Sequence, residues 1–457
     1  MSVASDIAEY IHSIKYSDLN GKTINQAKRL FVDTIGCAIG AIKEQPIKIA
    51  TKTAQDTVDK YKSTILGTNR KVDPWTAAFV NGGASRYFDF MDTYDAKEFA
   101  HPSDNILPIF AIAEAGGKSG KDIILATVIA YEIQAQLAEA ASLWDKGWDH
   151  VNYGLISVSC AASKLMGLSV EQTTHAINIA LSSHLVMRQV RQQEISMWKA
   201  FAFSNVARNA IFATMLAKNG MTGPAPIFEG SMGFFKQVSG MFRFNMKKFG
   251  NRNNEFAINR NLIKYFPVET RALTTVFAAL ELRKKFESID HIQSVIIEGN
   301  DATVKIIGKE PEKWDPQTRE TADHSMPFIV ARALMDGEVY LNTFERSKFR
   351  DKKALEFMKR IKVVESQKYT KLFNRGGTVN ASSVKINLKN GKKLYREVIY
   401  SKGHFKNPMT NQELETKFKR LTSKYLNSEK TSAILSMLWN FEKISKVDKL
   451  FQTIGNL

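Results

Sequence analysis

Cysteine is nearly absent from this chain of 457 residues, which contains only Cys37 and Cys160. Two cysteines cannot build a disulfide framework or a metal site with four cysteine ligands. They also cannot ligate an iron–sulfur cluster, because such clusters need several thiolates. The composition therefore excludes a disulfide-stabilised scaffold and a cysteine-ligated redox centre.

Long hydrophobic runs are missing as well. The longest apolar stretch, residues 123–131, is far short of the ~20 residues of a membrane span. The first residues carry no basic segment, so we expect no signal peptide. We find no internal repeat, no glycine-rich phosphate loop and no nucleic-acid-binding motif. These absences favour a cytoplasmic enzyme.

Positive charge is in excess, with 64 lysines and arginines against 46 acidic residues and a net charge of +18. The excess can indicate nucleic-acid binding, attraction of anionic metabolites or an ordinary lysine-rich surface. The basic residues are scattered, with small clusters at residues 283–285 and 350–353. We favour an ordinary surface first and attraction of an anionic substrate second. A basic nucleic-acid-binding protein without catalysis is the remaining alternative.

Hydrophobic periodicity predicts mainly helices in the first part of the chain. Apolar residues at helical spacing indicate helices over residues 24–39 and 204–218. Residues 122–141 are apolar nearly all round, which predicts a buried central helix. Ser169 and Gln172 form the capping pattern that begins another helix.

The composition changes near residue 265, beyond which strands are predicted. Residues 291–298 and 360–364 are β-rich, and Asn390-Gly391 joins residues 383–388 and 393–400 into a hairpin. We therefore predict a mainly α fold with an α+β insertion. A large all-helical domain begins in residues 1–265, a smaller α/β lid domain spans 266–400, and residues 401–457 complete the helical domain.

Residues 86–105 gather carboxylates and a histidine among aromatic side chains. Asp89 and Asp92 are three residues apart, so one helical turn would place both on the same face. Like charges held close together raise at least one pKa, which produces a usable acid or base. Pro102 leaves His101 in an extended or turn conformation, where its imidazole can face a ligand. The alternative is an acidic helix end with a solvated turn, against which the aromatic surroundings argue.

This stretch resembles the signature of the MmgE/PrpD family. The resemblance rests on Asp89-Phe-Met-Asp-Thr-Tyr94 and Glu98-Phe-Ala-His-Pro-Ser-Asp-Asn105. The family includes 2-methylcitrate dehydratases, cis-aconitate decarboxylases and iminodisuccinate epimerases. The spacer between the two segments has the length found in dehydratases and is shorter in decarboxylases. The resemblance implies a large helical domain, a smaller lid and a homodimer.

Three further candidates combine a local pattern with the resemblance. Lys199 follows Ser196-Met-Trp, a run similar to a dehydratase block whose lysine is an active-site residue; a surface lysine is the ordinary alternative. His150 precedes a helix, where free backbone N–H groups bind anions, and the family has a site histidine there. His324 lies in a block that matches the dehydratases and would reach the cleft from the lid, with Ser325 as a helix cap.

One departure from the family pattern leaves the exact substrate open. Glu269 stands where decarboxylases carry a histidine, and dehydratases usually have an acidic residue there. The dehydratases carry a histidine further on, where Arg271 or its neighbour stands in this chain. An arginine at that position can bind a substrate carboxylate.

We therefore predict a cofactor-independent hydro-lyase that converts 2-methylcitrate to 2-methylaconitate and water. The predicted catalytic residues are Asp89, Asp92, His101, His150 and Lys199, and the predicted substrate-binding residues are Thr93, Arg191, Arg271 and His324. One of the two aspartates would take the proton and His101 would protonate the departing hydroxyl, or these roles are exchanged. Cations would stabilise the charge that develops beside the carboxylate.

The alternatives within the family are decarboxylation of cis-aconitate and epimerisation of an amino-dicarboxylate. No residue spacing typical of a metal site or a dinucleotide site is visible, so we expect neither a metal nor another cofactor. The expected partner is a small tricarboxylate, with neither a nucleic acid nor a membrane.

Overall fold

The computed structural model of the protein describes residues 2–374 and 379–457, and its first part is a body of packed helices. These helices are α1 (Val3–Ser13), α2 (Gly21–Ala41), α3 (Gln45–Thr53), α4 (Pro74–Arg86), α5 (Ile106–Ala115), α6 (Gly120–Ala140), α7 (Tyr153–Met166), α8 (Val170–Ser183) and α9 (Ala202–Lys218). The helices predicted over residues 24–39, 122–141 and 204–218 are confirmed as α2, α6 and α9.

Helix α6 is the centre of this body. It packs against α2, α5 and α7, which explains why its sequence is apolar on every side. By length and composition alone it would suit a membrane span, but 89% of its most apolar window is buried inside the protein. Its one acidic side chain at full burial, Glu132, accepts hydrogen bonds from the backbone N–H groups of Gly250 and Ala257. Helix α6 therefore also fixes the loop that leads to the second part of the chain.

Two short two-stranded sheets interrupt the helical body. They are formed by β1 (Ser63–Thr64) with β2 (Lys71–Val72), and by β3 (Asp92–Thr93) with β4 (Leu262–Ile263). The second pair joins residues about 170 positions apart in the sequence. It thereby brings the segment after α4 next to residues 262–263. The expectation of an all-helical first domain is therefore too simple.

The insertion is a four-stranded sheet covered by helices. Its strands are β5 (Ile292–Gly299), β6 (Ile361–Glu365), β7 (Ser382–Leu388) and β8 (Lys393–Val398), in the order β6-β5-β7-β8. Its helices are α10 (Ala272–Arg283), α11 (Asp301–Thr303), α12 (Arg319–Ala322), α13 (Met326–Asp336), α14 (Arg346–Phe349), α15 (Lys352–Met358) and α16 (Gln367–Asn374). Strands β5 and β6 are parallel and the other pairs antiparallel. The predicted hairpin is confirmed as β7–β8, with Ile386 opposite Leu394.

The chain then returns to the helical body through α17 (Asn411–Thr422), α18 (Ser428–Trp439) and α19 (Asp448–Ile454). Thr410 and Glu413 form the capping box that the sequence predicts at the start of α17. Helix α17 packs against α2, so the last part of the chain shares the core of the first.

The largest two hydrophobic cores follow this division of the chain. One contains residues from 4–263 and 409–454, and the other contains residues from 262–394. The fold class is confirmed as mainly α with a smaller α/β part. The domain boundaries at residues 265 and 400 stay a prediction, which the separation of the two cores supports.

Candidate active site

A cavity of about 240 Å³ lies between the helical body and the insertion. The body contributes Arg86, Asp89, His101, His150, Arg188, Arg191 and Lys264, and the insertion contributes Glu269, Arg271, Lys313 and His324. More lysine and arginine side chains than carboxylates line the cavity. It therefore suits an anionic ligand.

Asp89 lies where α4 has ended and is the carboxylate around which the cations of the site assemble. It forms ion pairs with Arg86, with Lys264 at 3.0 Å and with Lys199 at 3.5 Å. Burial opposes ionisation of Asp89, but Arg86, Lys199 and Lys264 together hold its pKa well below the usual range. Such a carboxylate stays ionised and is a weak proton acceptor.

Asp89 also has a left-handed backbone, with φ of 50°. This conformation is uncommon for residues other than glycine and costs about 1–2 kcal/mol. Surrounding contacts must therefore fix it, and unfavourable backbone conformations of this kind concentrate at functional sites.

Asp92 does not share a face with Asp89, so this prediction is wrong. The prediction required residues 89–92 to be helical, but α4 ends at Arg86 and Asp92 belongs to β3. The Asp92 carboxylate accepts hydrogen bonds from Tyr131 Oη and Asn261 Nδ2, both at 2.7 Å, and from the backbone N–H of Ser103. Burial, rather than a neighbouring like charge, is the main cause of its raised pKa.

Asp92 and Thr93 both lie outside the cavity lining. The hydroxyl of Thr93 donates towards Asp95 Oδ1 at 3.4 Å and the carbonyl of Ala100 at 3.3 Å. These contacts fold the loop that carries His101. The roles predicted for Asp92 in catalysis and for Thr93 in substrate binding stay predictions, and the observed contacts favour a supporting role for both.

His101 is fixed by the backbone of the same loop. Its Nδ1 lies 2.7 Å from the carbonyl oxygen of Asp92. Because a carbonyl oxygen only accepts hydrogen bonds, Nδ1 carries the proton, and Nε2 keeps a lone pair. Burial, together with Arg86 and Lys264, holds the pKa of His101 well below its usual range. His101 is thus a neutral imidazole that keeps the Nε2 lone pair at the cavity.

His150 lies beside His101, with ring centroids 5.4 Å apart. Its neighbour Asp149 is fully buried and forms ion pairs with Arg191 at 2.9 Å and Arg188 at 3.3 Å. Burial is the largest effect on His150, and with Arg191, Arg86 and Arg188 it lowers the pKa to about 3 despite the nearby carboxylate. Asp149 therefore orients two arginines towards the imidazole pair.

Several buried side-chain nitrogens around the cavity have no hydrogen-bond partner within the described residues. They are Arg188 Nε, Arg191 Nη2, Arg271 Nε and His150 Nδ1. Buried donors are almost always paired in folded proteins. Their position around one cavity points to a ligand with several acceptor oxygens, such as a polycarboxylate.

The insertion supplies the opposite wall. Arg271 forms an ion pair with Glu269 at 2.5 Å and stacks over the ring of Phe99 at 3.9 Å. Lys313 donates to the carbonyl of Gln193 at 3.2 Å and pairs with Glu310. The sequence predicts Arg271 as a cation that binds a substrate carboxylate. The ion pair with Glu269 neutralises part of this positive charge.

Lys199 lies just behind the cavity and is not among its lining residues. Its Nζ pairs with Asp323 at 3.2 Å and lies 3.3 Å from His324 Nδ1. His324 lines the cavity, and burial, more than the nearby lysine, lowers its pKa to about 4. Lys199 therefore acts on the site through Asp89, Asp323 and His324.

Asp89, Asp323 and His324 also place three potential metal ligands within 4.8 Å of one another. The two carboxylates already pair with Lys199, and Asp89 pairs with Arg86 and Lys264 as well. A divalent cation would meet these positive charges at close range. The donor set fits an internal ion-pair cluster better than a metal site.

The structure brings six predicted site residues together at the cavity: Asp89, His101, His150, Arg191, Arg271 and His324. Arg86, Arg188, Lys264 and Lys313 also line the cavity but were not predicted from the sequence. Arg86 and Arg188 adjoin the motifs that contain Asp89 and Arg191, so proximity to those motifs was an available signal. No local pattern distinguishes Lys264 or Lys313 from other lysines.

Comparison with known proteins identifies the family. The family models of the MmgE/PrpD N-terminal and C-terminal domains match residues 5–247 and 266–443. The chain belongs to the MmgE/PrpD family, which confirms the predicted resemblance.

Individual relatives are named as lyases. A mitochondrial 2-methylcitrate dehydratase of Yarrowia lipolytica is 29% identical over 88% of this chain and 80% of its own length. The 2-methylcitrate dehydratase of Escherichia coli K12 is 27% identical, covering 80% of this chain and 78% of that protein. A human cis-aconitate decarboxylase is 24% identical over 97% of this chain and 92% of its own length. The prediction of an enzyme of the lyase class is confirmed.

The buried carboxyl group of Asp104 makes the stability of the protein depend on pH. Its carboxylate oxygens are buried without hydrogen bonds from the described residues, and Arg86 Nε lies 3.7 Å away. Burial raises the pKa of Asp104 to about 7. A folded-state pKa above the unfolded value means that the folded protein binds the proton more tightly. Stability from this group is therefore lost as pH rises from about 4 towards 7.

We expect Asp104→Asn to remove this loss. The Tm of the variant minus the Tm of the wild type should increase as the pH rises from 5 to 8. Thermal unfolding in matched buffers measures this difference. Asp95, whose pKa burial also raises to about 7, is present in both proteins and cancels. A Tm difference that does not change with pH would contradict the prediction.

Proposed function

We propose that this protein is a cofactor-independent hydro-lyase that removes water from a tricarboxylate, 2-methylcitrate being the preferred substrate. The observation that carries the proposal is His101, whose Nδ1 is committed to a backbone carbonyl while Nε2 lies at a cavity lined by cations. A base beside several arginines suits removal of a proton next to a carboxylate. The names of the relatives support the substrate class.

In the proposed reaction His101 Nε2 takes a proton from the carbon next to a carboxylate. The carbon–oxygen bond to the hydroxyl then breaks as the double bond forms. The proton on Nε2 passes to the departing hydroxide, so the products are an unsaturated tricarboxylate and water. Arg191, Arg271 and Lys264 stabilise the negative charge that develops. Asp89 does not take the proton, because its paired cations keep it ionised. It positions Arg86, Lys199 and Lys264 through these ion pairs.

Decarboxylation of cis-aconitate is the second candidate. The relative named cis-aconitate decarboxylase covers 97% of this chain. In that reaction a carboxylate leaves as carbon dioxide, and His101 Nε2 would relay a proton from water to the carbon that the carboxylate leaves. Glu269, which lines the cavity as an acidic residue, favours dehydration, since the decarboxylases carry histidine there. Measuring water loss from 2-methylcitrate against carbon dioxide release from cis-aconitate decides between the two reactions.

His101→Ala should lower kcat by roughly 10²- to 10⁴-fold, the usual contribution of one general acid–base group. The variant should remain folded by circular dichroism, and added imidazole should restore part of the turnover. His12→Ala is the matched control, because His12 lies on α1 and contacts Thr173. Near-normal turnover by folded His101→Ala would remove this residue from the mechanism.

Arg271→Gln should narrow the preference for tricarboxylates over dicarboxylates, because a close and desolvated cation discriminates charge number most strongly. The measurement is kcat/KM for 2-methylcitrate and a dicarboxylate analogue across an ionic-strength series. In the wild type the tricarboxylate value should fall more steeply with salt. Lys352→Gln, at an exposed position, is the control. An unchanged preference in Arg271→Gln would place this arginine outside substrate recognition.

We also propose a homodimer. An exposed aromatic patch supports it: Trp198 and Phe212 are 46% and 50% exposed and contact Phe79 and Trp75 of α4. Exposed apolar patches of this kind mark interaction surfaces. Sedimentation analysis should give twice the chain mass, and Phe212→Asp should reduce it; a monomeric wild type would contradict the proposal.

A further inference from the structure

A buried lysine from the last part of the chain lies directly behind the site. Lys417, on α17, is 7% exposed and forms an ion pair of 2.6 Å with Asp33 of α2. Its Nζ also donates to the backbone carbonyls of Phe90 at 2.5 Å and Lys264 at 2.8 Å. One ammonium group thus joins two helices to two loop segments.

The two loop segments are those that carry the central ion pair of the site. Phe90 directly follows Asp89, and the side chain of Lys264 donates to the Asp89 carboxylate at 3.0 Å. The segments also contact each other, because the N–H of Lys264 donates to the carbonyl of Met91 at 3.2 Å. Lys417 therefore fixes the backbone on both sides of the Asp89–Lys264 pair.

Lys417 does not line the cavity, so it cannot contact a ligand there. Its effect must pass through the backbone, and Asp89 has the left-handed conformation that depends on external support. The ring of Phe90 lies 3.8 Å from the lysine nitrogen, which adds a cation–π contact on the same segment. Apart from the ion pair with Asp33, the contacts of Lys417 thus act on Phe90 and Lys264, which adjoin and complete the Asp89–Lys264 pair.

We propose that Lys417 is a positioning residue for the reaction, holding Asp89 and Lys264 in the arrangement that places their charges at the cavity. The predicted effect of Lys417 on turnover rests on the proposed function. Its effect on the backbone of the two loop segments can be tested without an activity assay. The plain alternative is that Lys417 only neutralises Asp33 in the core.

Four proteins separate positioning from charge neutralisation. Lys417→Met removes the ammonium group but leaves the buried Asp33 carboxylate without its cation, so a loss of stability is expected in either case. Asp33→Asn/Lys417→Met removes both charges and should recover much of that stability. Lys164→Met is the matched control, because Lys164 donates to the carbonyls of Ile11 and His12 in another part of the body. The wild type completes the set.

Turnover gives the first readout. With 2-methylcitrate and cis-aconitate as substrates, we expect kcat of the double variant to stay at least tenfold below the wild type although its Tm recovers. Its KM should change less than threefold, because Arg188, Arg191 and Arg271 do not depend on Lys417. Lys164→Met should keep the wild-type kcat. Recovery of kcat together with Tm would show that Lys417 only neutralises Asp33, and would overturn the inference.

Hydrogen exchange gives a readout that needs no activity. In the double variant, amide exchange should accelerate in peptides covering residues 89–93 and 262–265, with other peptides close to wild type. Unchanged exchange in both peptides would overturn the inference even if turnover fell. A wild type that turns over neither substrate would overturn the proposed function instead, and the exchange result would still decide whether Lys417 positions these segments.

Discussion

The ionised carboxylate of Asp89 is the interaction on which the site depends. Arg86, Lys199 and Lys264 reach it from three separate parts of the chain. A buried charge is costly unless it is paired, so each of these cations helps to keep the carboxylate ionised. Lys199 is shared with Asp323, and Arg86 also lies near Asp104, so the charges within the cluster largely balance. The positive excess comes from the cavity lining, where lysines and arginines outnumber carboxylates and can be neutralised by an anionic ligand.

The division between body and insertion distributes this charge over two walls. The imidazoles of His101 and His150 and the arginines paired with Asp149 belong to the body, whereas Arg271, Lys313 and His324 come from the insertion. Lys199 links the walls, because it lies on the body and pairs with Asp323 of the insertion. A ligand that fills the cavity would therefore contact both parts of the fold.

The sequence predicts those features of the fold that have a local cause. Helix α6 was predictable from its apolar composition, the cap at Thr410 from its pairing with Glu413, and the β7–β8 hairpin from Asn390-Gly391. These patterns act over a few residues, so no tertiary information is needed to interpret them.

The site was predictable only in part, because its geometry depends on distant contacts. His101 was identified from its motif, but its tautomer depends on the backbone carbonyl of Asp92, which no side-chain pattern reveals. The expectation for Asp92 failed because spacing of three residues implies one face only in a helix, and β3 replaces the helix there. Lys264 and Lys417 act through carbonyls and carboxylates far away in sequence, so they carry no local signal.

The low pKa of the imidazoles has a consequence for the proposed reaction. Burial and the cations Arg86 and Lys264 keep His101 neutral, which also makes it a weak base. A bound tricarboxylate would offset those positive charges at short range, and an opposite charge nearby raises the pKa of an imidazole. The base would therefore become stronger only when the substrate is in place. The same arginines that bind the substrate would thus couple its binding to the basicity of His101, without any group beyond those that line the cavity.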